Sequence, residues 1–173
     1  MLLDNLSDLF QRGLEYAWDC EQLLQKELPK MIEAASSDQL KQVLRQHEVE
    51  TKGHVSQLKQ IFTRLSRAPA GERDEPVRVI VKESEKMIAH LDRSPLLDAA
   101  LIFSGTQMEQ YEIGLYGSLG AFARTLGLEE MANLIGEILH DEKAAAEALT
   151  KLAEQSINRA ASAVHNPPPF ALI

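Results

Sequence analysis

Apolar positions recur along this chain with helical spacing, and no strand alternation persists anywhere. A first stripe holds Leu14, Ala17, Trp18, Glu21, Leu24 and Leu28 and predicts a helix over about Leu6 to Ala34. A second holds Leu40, Val43, His47, Glu50, His54, Leu58 and Ile61 and predicts a helix over about Asp38 to Leu65. Between them, "SSDQL" offers Ser36 as N-cap with Gln39 three residues on, a capping-box pattern. "SRAPAGERDEP" reads as a loop, and a shorter amphipathic helix follows over about Glu75 to Leu91. Ser94 as N-cap, with Pro95 at the first helical position, starts a helix that reaches about Thr125. Gly127 closes it in the left-handed conformation, and Glu129 and Glu130 open a last helix running to about Arg159. The tail "HNPPPFALI" cannot continue that helix through three prolines.

Loop lengths set the topology. The first and second long helices are joined by a few residues, as are the third and fourth, so each pair is an antiparallel hairpin. The middle connection is nearly thirty residues and carries its own helix. About seventeen helical residues cover roughly 25 Å, most of the way back along a bundle. The expected architecture is all-α: a ferritin-like four-helix bundle whose long crossover contains a fifth, shorter helix. Residues 1–160 form this unit and residues 161–173 a proline-rich tail.

Composition narrows the partners. The chain has 173 residues, 45% of them hydrophobic and 25% charged, ordinary for one soluble domain. A net charge of −8 argues against nucleic acid and against anionic membrane surfaces. The one cysteine, Cys20, excludes an internal disulfide and suits a reducing cytoplasm. The N-terminus carries acids where a signal peptide would carry bases. The most apolar stretch, Ala99 to Ala123, is broken by Glu109 and Glu112 into uncharged runs too short for a bilayer.

Those two glutamates are the informative residues. They are the only charges in that run, and at i, i+3 they lie on one face. A single glutamate on an apolar stripe usually snorkels or meets a buried partner. Here each long helix points at least one inward: Glu21, Glu50, Glu109 with Glu112, and Glu142. His47 and His54 share the second stripe, and His54, at i+4 from Glu50, is the better ligand candidate. No lysine or arginine shares the stripes beside them, so the carboxylates must be neutralised by protons or by cations. Two divalent cations would balance most of the charge, and carboxylate with imidazole suits iron, manganese or zinc. His140, two residues from Glu142, faces away. Gly105, Gly114, Gly117 and Gly120 are expected to let helices approach closely. Tyr16, Trp18 and Tyr116 are read as core aromatics, and Cys20 as a partly buried, inert thiol.

"DCEQLLQKELPKMIEAASSDQLKQVLRQHEVETKGHVSQLKQIF" and "DAALIFSGTQMEQYEIGLYGSLGAFARTLG" resemble the YciE/YciF-type ferritin-like stress-protein family, over about Leu6 to Ala153. More distantly, the Glu109/Glu112 pair is similar to the rubrerythrin carboxylate pattern. The resemblance implies a ferritin-like bundle, often a homodimer, with a di-metal centre. The metal ligands it implies are Glu21, Glu50, His54, Glu109, Glu112 and Glu142. The family reads "EEEKAADE" where this chain has "HDEKAAAE", so Ala146 stands where an acid is usual. Asp74 and Val79 also depart from the family, in the crossover. The expected function is a cytoplasmic di-iron protein of stress-related redox or iron-handling role, acting on O2 or peroxide. The alternative is a non-enzymatic stress-induced scaffold with a structural metal site.

Overall fold

A computed structural model describes residues 3–164. Four long helices carry the fold: α1 (Leu6–Ala34), α2 (Asp38–Arg64), α4 (Pro95–Thr125) and α5 (Glu129–Leu152), with α3 (Glu75–His90) in the crossover. Each boundary lies within a residue or two of the sequence expectation except the last. There, five residues of π-helix, Ala153–Ile157, lead into α6 (Asn158–Val164). The wider turn re-aims the face that follows and brings Ile157 into the core beside Leu152 and Ala153. The proline-rich tail expected beyond Val164 lies outside the described residues. No helix among the described residues is long and apolar enough to cross a membrane.

The helix ends show why the chain stops and restarts where it does. Asn5, Ser94 and Asp74 each accept a backbone N–H in the first turn they cap, from Asp8, Leu97 and Val77. Gly127 adopts φ 72° as expected, with Leu128 N–H bonded to Ala123 C=O and Gly127 N–H to Arg124 C=O. The same pattern closes α2 with Ser66 at φ 54° in the left-handed place. The N-cap of α2 is Ser37, which accepts from Leu40 N–H at 3.3 Å, and not Ser36. A long-range contact decides this. Asp98, buried in the first turn of α4, takes Ser36 N–H at 2.7 Å, Ser36 O–H at 2.5 Å and Ser37 N–H at 3.0 Å. The hydroxyl expected to cap α2 is drawn to a different helix.

That clasp also reports topology, because α4 begins where α1 ends and the two run antiparallel. The long helices pack in the cyclic order α1–α2–α5–α4, and α3 lies against α4 and α1. The crossover is pinned at its start. Asp74 accepts the Tyr111 hydroxyl at 2.5 Å, and Arg78 donates to both oxygens of Asp19 at 2.7 Å. Of the α4 glycines, Gly105 does admit a close neighbour, since a Cβ there would meet Leu149 at 3.1 Å, whereas at Gly120 it would make only ordinary contact with Ile135 at 3.6 Å. Gly114 and Gly117 face open space, so close approach does not account for them.

The core comes in two parts. One gathers Leu24, Leu28, Met31, Leu44, Leu97, Leu101 and Leu149, the other Phe10, Leu14, Leu58, Phe62, Leu119, Ile135 and Ile138. Along every long helix the residues that separate them are polar: Glu21, His47 to His54, Glu109 to Glu112, and Glu142. Replacing Asp98 removes three bonds at the turn and strands two amides. Asp98→Ala is therefore expected to cost ~3 kcal/mol, read as a lower urea midpoint of the metal-free protein with an unchanged slope.

Candidate metal centre

The polar layer is built by register. On α1, Glu21 lies one turn from Ala17 and from Leu24, and it is completely buried. On α4, Glu109 and Glu112 occupy the face between Met108 and Tyr116, exposed by 2% and 0%. On α5, Glu142 follows Ile138 by one turn and is fully enclosed. On α2 the inward residues are His47, Thr51 and His54, spaced i, i+4, i+7. All of these side chains but Thr51 meet at one level of the bundle.

Within that level, two groups of donors converge. His47, Glu109, Glu112 and Glu142 bring one donor atom each to within 4.8 Å of one another, and Glu21, His54 and Glu142 do the same. Glu142 belongs to both. His54 Nδ1 lies 3.0 Å from Glu142 Oε1 and 3.3 Å from Glu21 Oε1, and His47 Nε2 lies 3.4 Å from Glu109 Oε1. Two donors each ~2.1 Å from one cation, at a right angle, are about 3 Å apart, so these separations suit the edges of a coordination shell.

The donor atoms lack other occupations. Glu21 Oε2, Glu109 Oε2, Glu112 Oε2, both oxygens of Glu142 and the ring nitrogens His54 Nδ1 and His47 Nε2 are buried without an aligned hydrogen-bond partner. Among the described residues, no lysine or arginine pairs with any of these four carboxylates; their charged neighbours are the two histidines. Four carboxylates and two neutral imidazoles carry a formal charge that two divalent cations cancel. The donor set therefore fits a pair of hard or borderline divalent ions.

Of the residues expected as ligands, Glu21, His54, Glu109, Glu112 and Glu142 lie together, and Glu50 does not join them. Glu50 is half-buried at the rim, where it accepts from Gln46 at 2.8 Å and lies 3.8 Å from His47 Nδ1. At 100° per residue, 50 falls on the edge of a stripe centred on 47, 51 and 54. Sequence reasoning passed over His47, whose spacing of two turns from His54 was the available signal. It also missed Asp141, whose Oδ2 is 3.4 Å from His54 Nε2. Tyr116, read as a core aromatic, donates its hydroxyl to Glu21 Oε1 at 2.5 Å. Cys20 is fully buried, its Sγ 3.3 Å from Glu112 Oε1. Burial, then Glu112 and Glu21, push its thiol far from ionising, which fits an inert role. Ala146 is buried and offers no donor one turn beyond Glu142.

Protonation follows from the same geometry. Burial raises the Glu109 and Glu112 carboxyls well above the usual range, and their mutual repulsion with Glu142 and Glu21 adds to Glu112. Burial likewise raises Glu21, against the pull of His54. Burial alone would lower both histidines. For His47, Glu109 and Glu50 outweigh it and lift the ring to about 9; for His54, Glu142 and Glu21 lift it to about 11. Glu142 is opposed by burial but held below its ordinary range by the two histidines.

Two relatives and a fold neighbour share this frame. The family described as a domain of unknown function, DUF892, matches residues 5–162. Protein YciF of Escherichia coli is 31% identical over 163 residues, covering 93% of this chain and 98% of the relative. The crystal structure of that E. coli stress protein superposes with a TM-score of 0.86 at 28% identity, over 91% of this chain and 99% of its own. YcfI, described as a putative structural protein from Rhodopseudomonas palustris, gives 0.82 at 33% identity, over 85% and 94%. A two-domain Anabaena variabilis protein with DJ-1/ThiJ/PfpI-like and ferritin-like domains gives 0.62 at 19% identity, over 98% of this chain and 41% of its own, and shows likeness of fold alone.

The raised groups make a pH prediction for metal-free protein. A histidine with a raised pKa stabilises fully below about 6.5, and that contribution is lost through about 9 for His47 and about 11 for His54. The raised carboxyls act in the same direction, favouring the fold while they hold protons. Lowered Glu142 opposes this only at the acid end. The urea midpoint is expected to be lower at about pH 9 than at about pH 6, and an equal or higher midpoint would contradict the protonation pattern.

Proposed function

The chain belongs to the DUF892 family, and from that premise we propose that it is a ferritin-like di-metal carboxylate protein, with iron as its metal and a stress-related redox or iron-handling role. The observation that carries this reading is Glu142 shared between two convergent donor groups. One cation position is furnished by Glu21, His54 and Glu142, the other by His47, Glu109, Glu112 and Glu142. Iron held there would supply one-electron redox chemistry, coupling Fe(II) oxidation to reduction of O2 or peroxide. The E. coli relative's description as a stress protein supports the physiological half of the proposal.

The surrounding residues have definite tasks. His54 turns Nδ1 to the inner carboxylates and Nε2 to the outer Asp141, whereas Glu50 lies 3.8 Å from His47 Nδ1, beyond hydrogen-bond reach. Such outer carboxylates fix the ring's tautomer and orientation and raise its basicity. Tyr116 fixes the carboxylate plane of Glu21 through its hydroxyl. The apolar clusters above and below keep water from the layer.

A second reading, a bundle whose metal is structural, draws on Ala146, which leaves the α5 side short of a donor. The R. palustris relative's description as a putative structural protein agrees with it. Anaerobic metal analysis followed by O2 or peroxide addition separates the two. About two metals per chain with rapid Fe(II) oxidation is the expected result. Glu142→Ala should lose both metals, while His54→Ala and His47→Ala should each lose one. Asp141→Asn should weaken binding at the His54 position by ~10- to 100-fold. Two retained metals without oxidation would establish the structural reading, and trace metal throughout would sink both.

A further inference from the structure

One of the two apolar clusters that shield the carboxylate layer contains a polar breach. A partly open space of ≈ 30 Å³ lies among its side chains and touches His47 and Glu109, and Glu27, Ser84 and Ser104 also line it. Glu27 follows Glu21 by six residues, and Ser104 precedes Glu109 by five. Because α1 and α4 are antiparallel, both stand on the same side of the layer, ~9 Å and ~7.5 Å along the bundle from it. Glu27, Ser84 and Ser104 are almost wholly buried, and among the described residues their side-chain oxygens take no aligned hydrogen bond. Other helical hydroxyls behave differently. Those of Thr63, Ser118, Thr125, Thr150 and Ser156 donate to the carbonyl four residues back, the usual outlet on a helix. Glu27 does have an ion-pair partner, Lys30 Nζ at 3.0 Å, and Lys30 also reaches Glu85 Oε1 at 2.5 Å. Lys30 and Glu85 are each about half exposed, so one ion pair separates the buried carboxylate from solvent.

We propose that this space is the passage by which divalent cations reach the layer, with Glu27 as the carboxylate that takes them in. The proposal rests on the di-metal reading. One water-sized sphere needs ~10–15 Å³ on this measure, so the space has room for about two, and an ion in it keeps little of its water shell. Hard divalent ions replace lost water with other oxygens, and the wall supplies a carboxylate and two hydroxyls. Asp98 and Asp74 are equally buried but already committed to hydrogen bonds, whereas Glu27 holds only the long, half-exposed Lys30. An incoming ion takes the place of that ammonium on Glu27, and Lys30 stays paired with Glu85 at the surface, so neither charge is stranded. Beyond Glu27 and the serines, the space ends on His47 and Glu109, which belong to the donor group. The crossover helix thereby gains a task beyond joining two hairpins, since Ser84 of α3 lines the route.

Zinc uptake by the metal-free full chain tests the passage without any turnover, since zinc has no redox chemistry. The fall in free zinc is followed in time with a chromophoric indicator, and bound metal is measured at the end. Glu27→Gln keeps the size of the side chain and removes its charge. It should fill severalfold more slowly than wild type and reach the same final content. Ser104→Ala removes only a hydroxyl and should slow uptake to a smaller degree, and it carries the test if Glu27→Gln fails to fold. Wild-type rates in both variants overturn the passage while leaving the di-metal reading intact. A slowing confined to Glu50→Gln also overturns it, because the entrance would then be the groove between α2 and α5 that reaches His47 from the other side. A wild-type chain that takes up no zinc removes the passage and the di-metal reading together.

Discussion

Four carboxylates buried in one layer, with no lysine or arginine among the described residues to answer them, are the constraint from which the rest of this structure follows. Each would cost several kcal/mol to enclose as an unpaired ion. The chain manages this by keeping them at one level, where protons or cations can be shared. The hydrophobic core is divided into two clusters as a result. The histidines of α2 lie in the same layer because a neutral or charged imidazole is the one side chain there able to answer either state of the carboxylates.

Other buried acids show what a satisfied one looks like. Asp98 is as enclosed as Glu109, yet it accepts three hydrogen bonds from the α1–α2 turn. Asp74 is equally enclosed and receives the Tyr111 hydroxyl and the Val77 amide. These two fasten helices together. Glu21, Glu109, Glu112 and Glu142 are buried to the same degree but keep oxygens without partners. Burial by itself therefore does not mark a ligand. Burial with unoccupied acceptors pointing at one another does, and among acids of equal exposure that is what distinguishes the layer from the clasps.

The second helix shows how finely register divides these roles. Thr51 is fully buried in the middle of the inward stripe, while its neighbour Glu50 stands at the rim and addresses His47 from outside. A rotation of 100° moves a side chain from the inward stripe to its rim. Asp141 stands in the same relation to Glu142 and serves His54. The layer thus has an inner ring of donors, with the outer carboxylate of Asp141 against His54.

The extents of all but the last helix, the hairpin pairing, the crossover and the four inner glutamates were legible in the sequence, because periodicity, caps and loop lengths are local properties of the chain. His54 was legible for the same reason, from its place on an apolar stripe. The family resemblance placed its expected ligands on the four long helices whose polar side chains meet in the layer. It could not separate Glu50 from His47, since a stripe read at 3.6 residues per turn leaves its edge uncertain by about the width of one side chain. Ser36, Asp98, Tyr116 and Asp141 escaped because their partners are 62, 95 and 87 residues away. Local pattern thus determined which residues are inward and helical. Only the packing of α1, α2, α4 and α5 at one height decided which of them touch, because hydrogen bonds and donor clusters depend on distances between helices that no spacing along one helix contains.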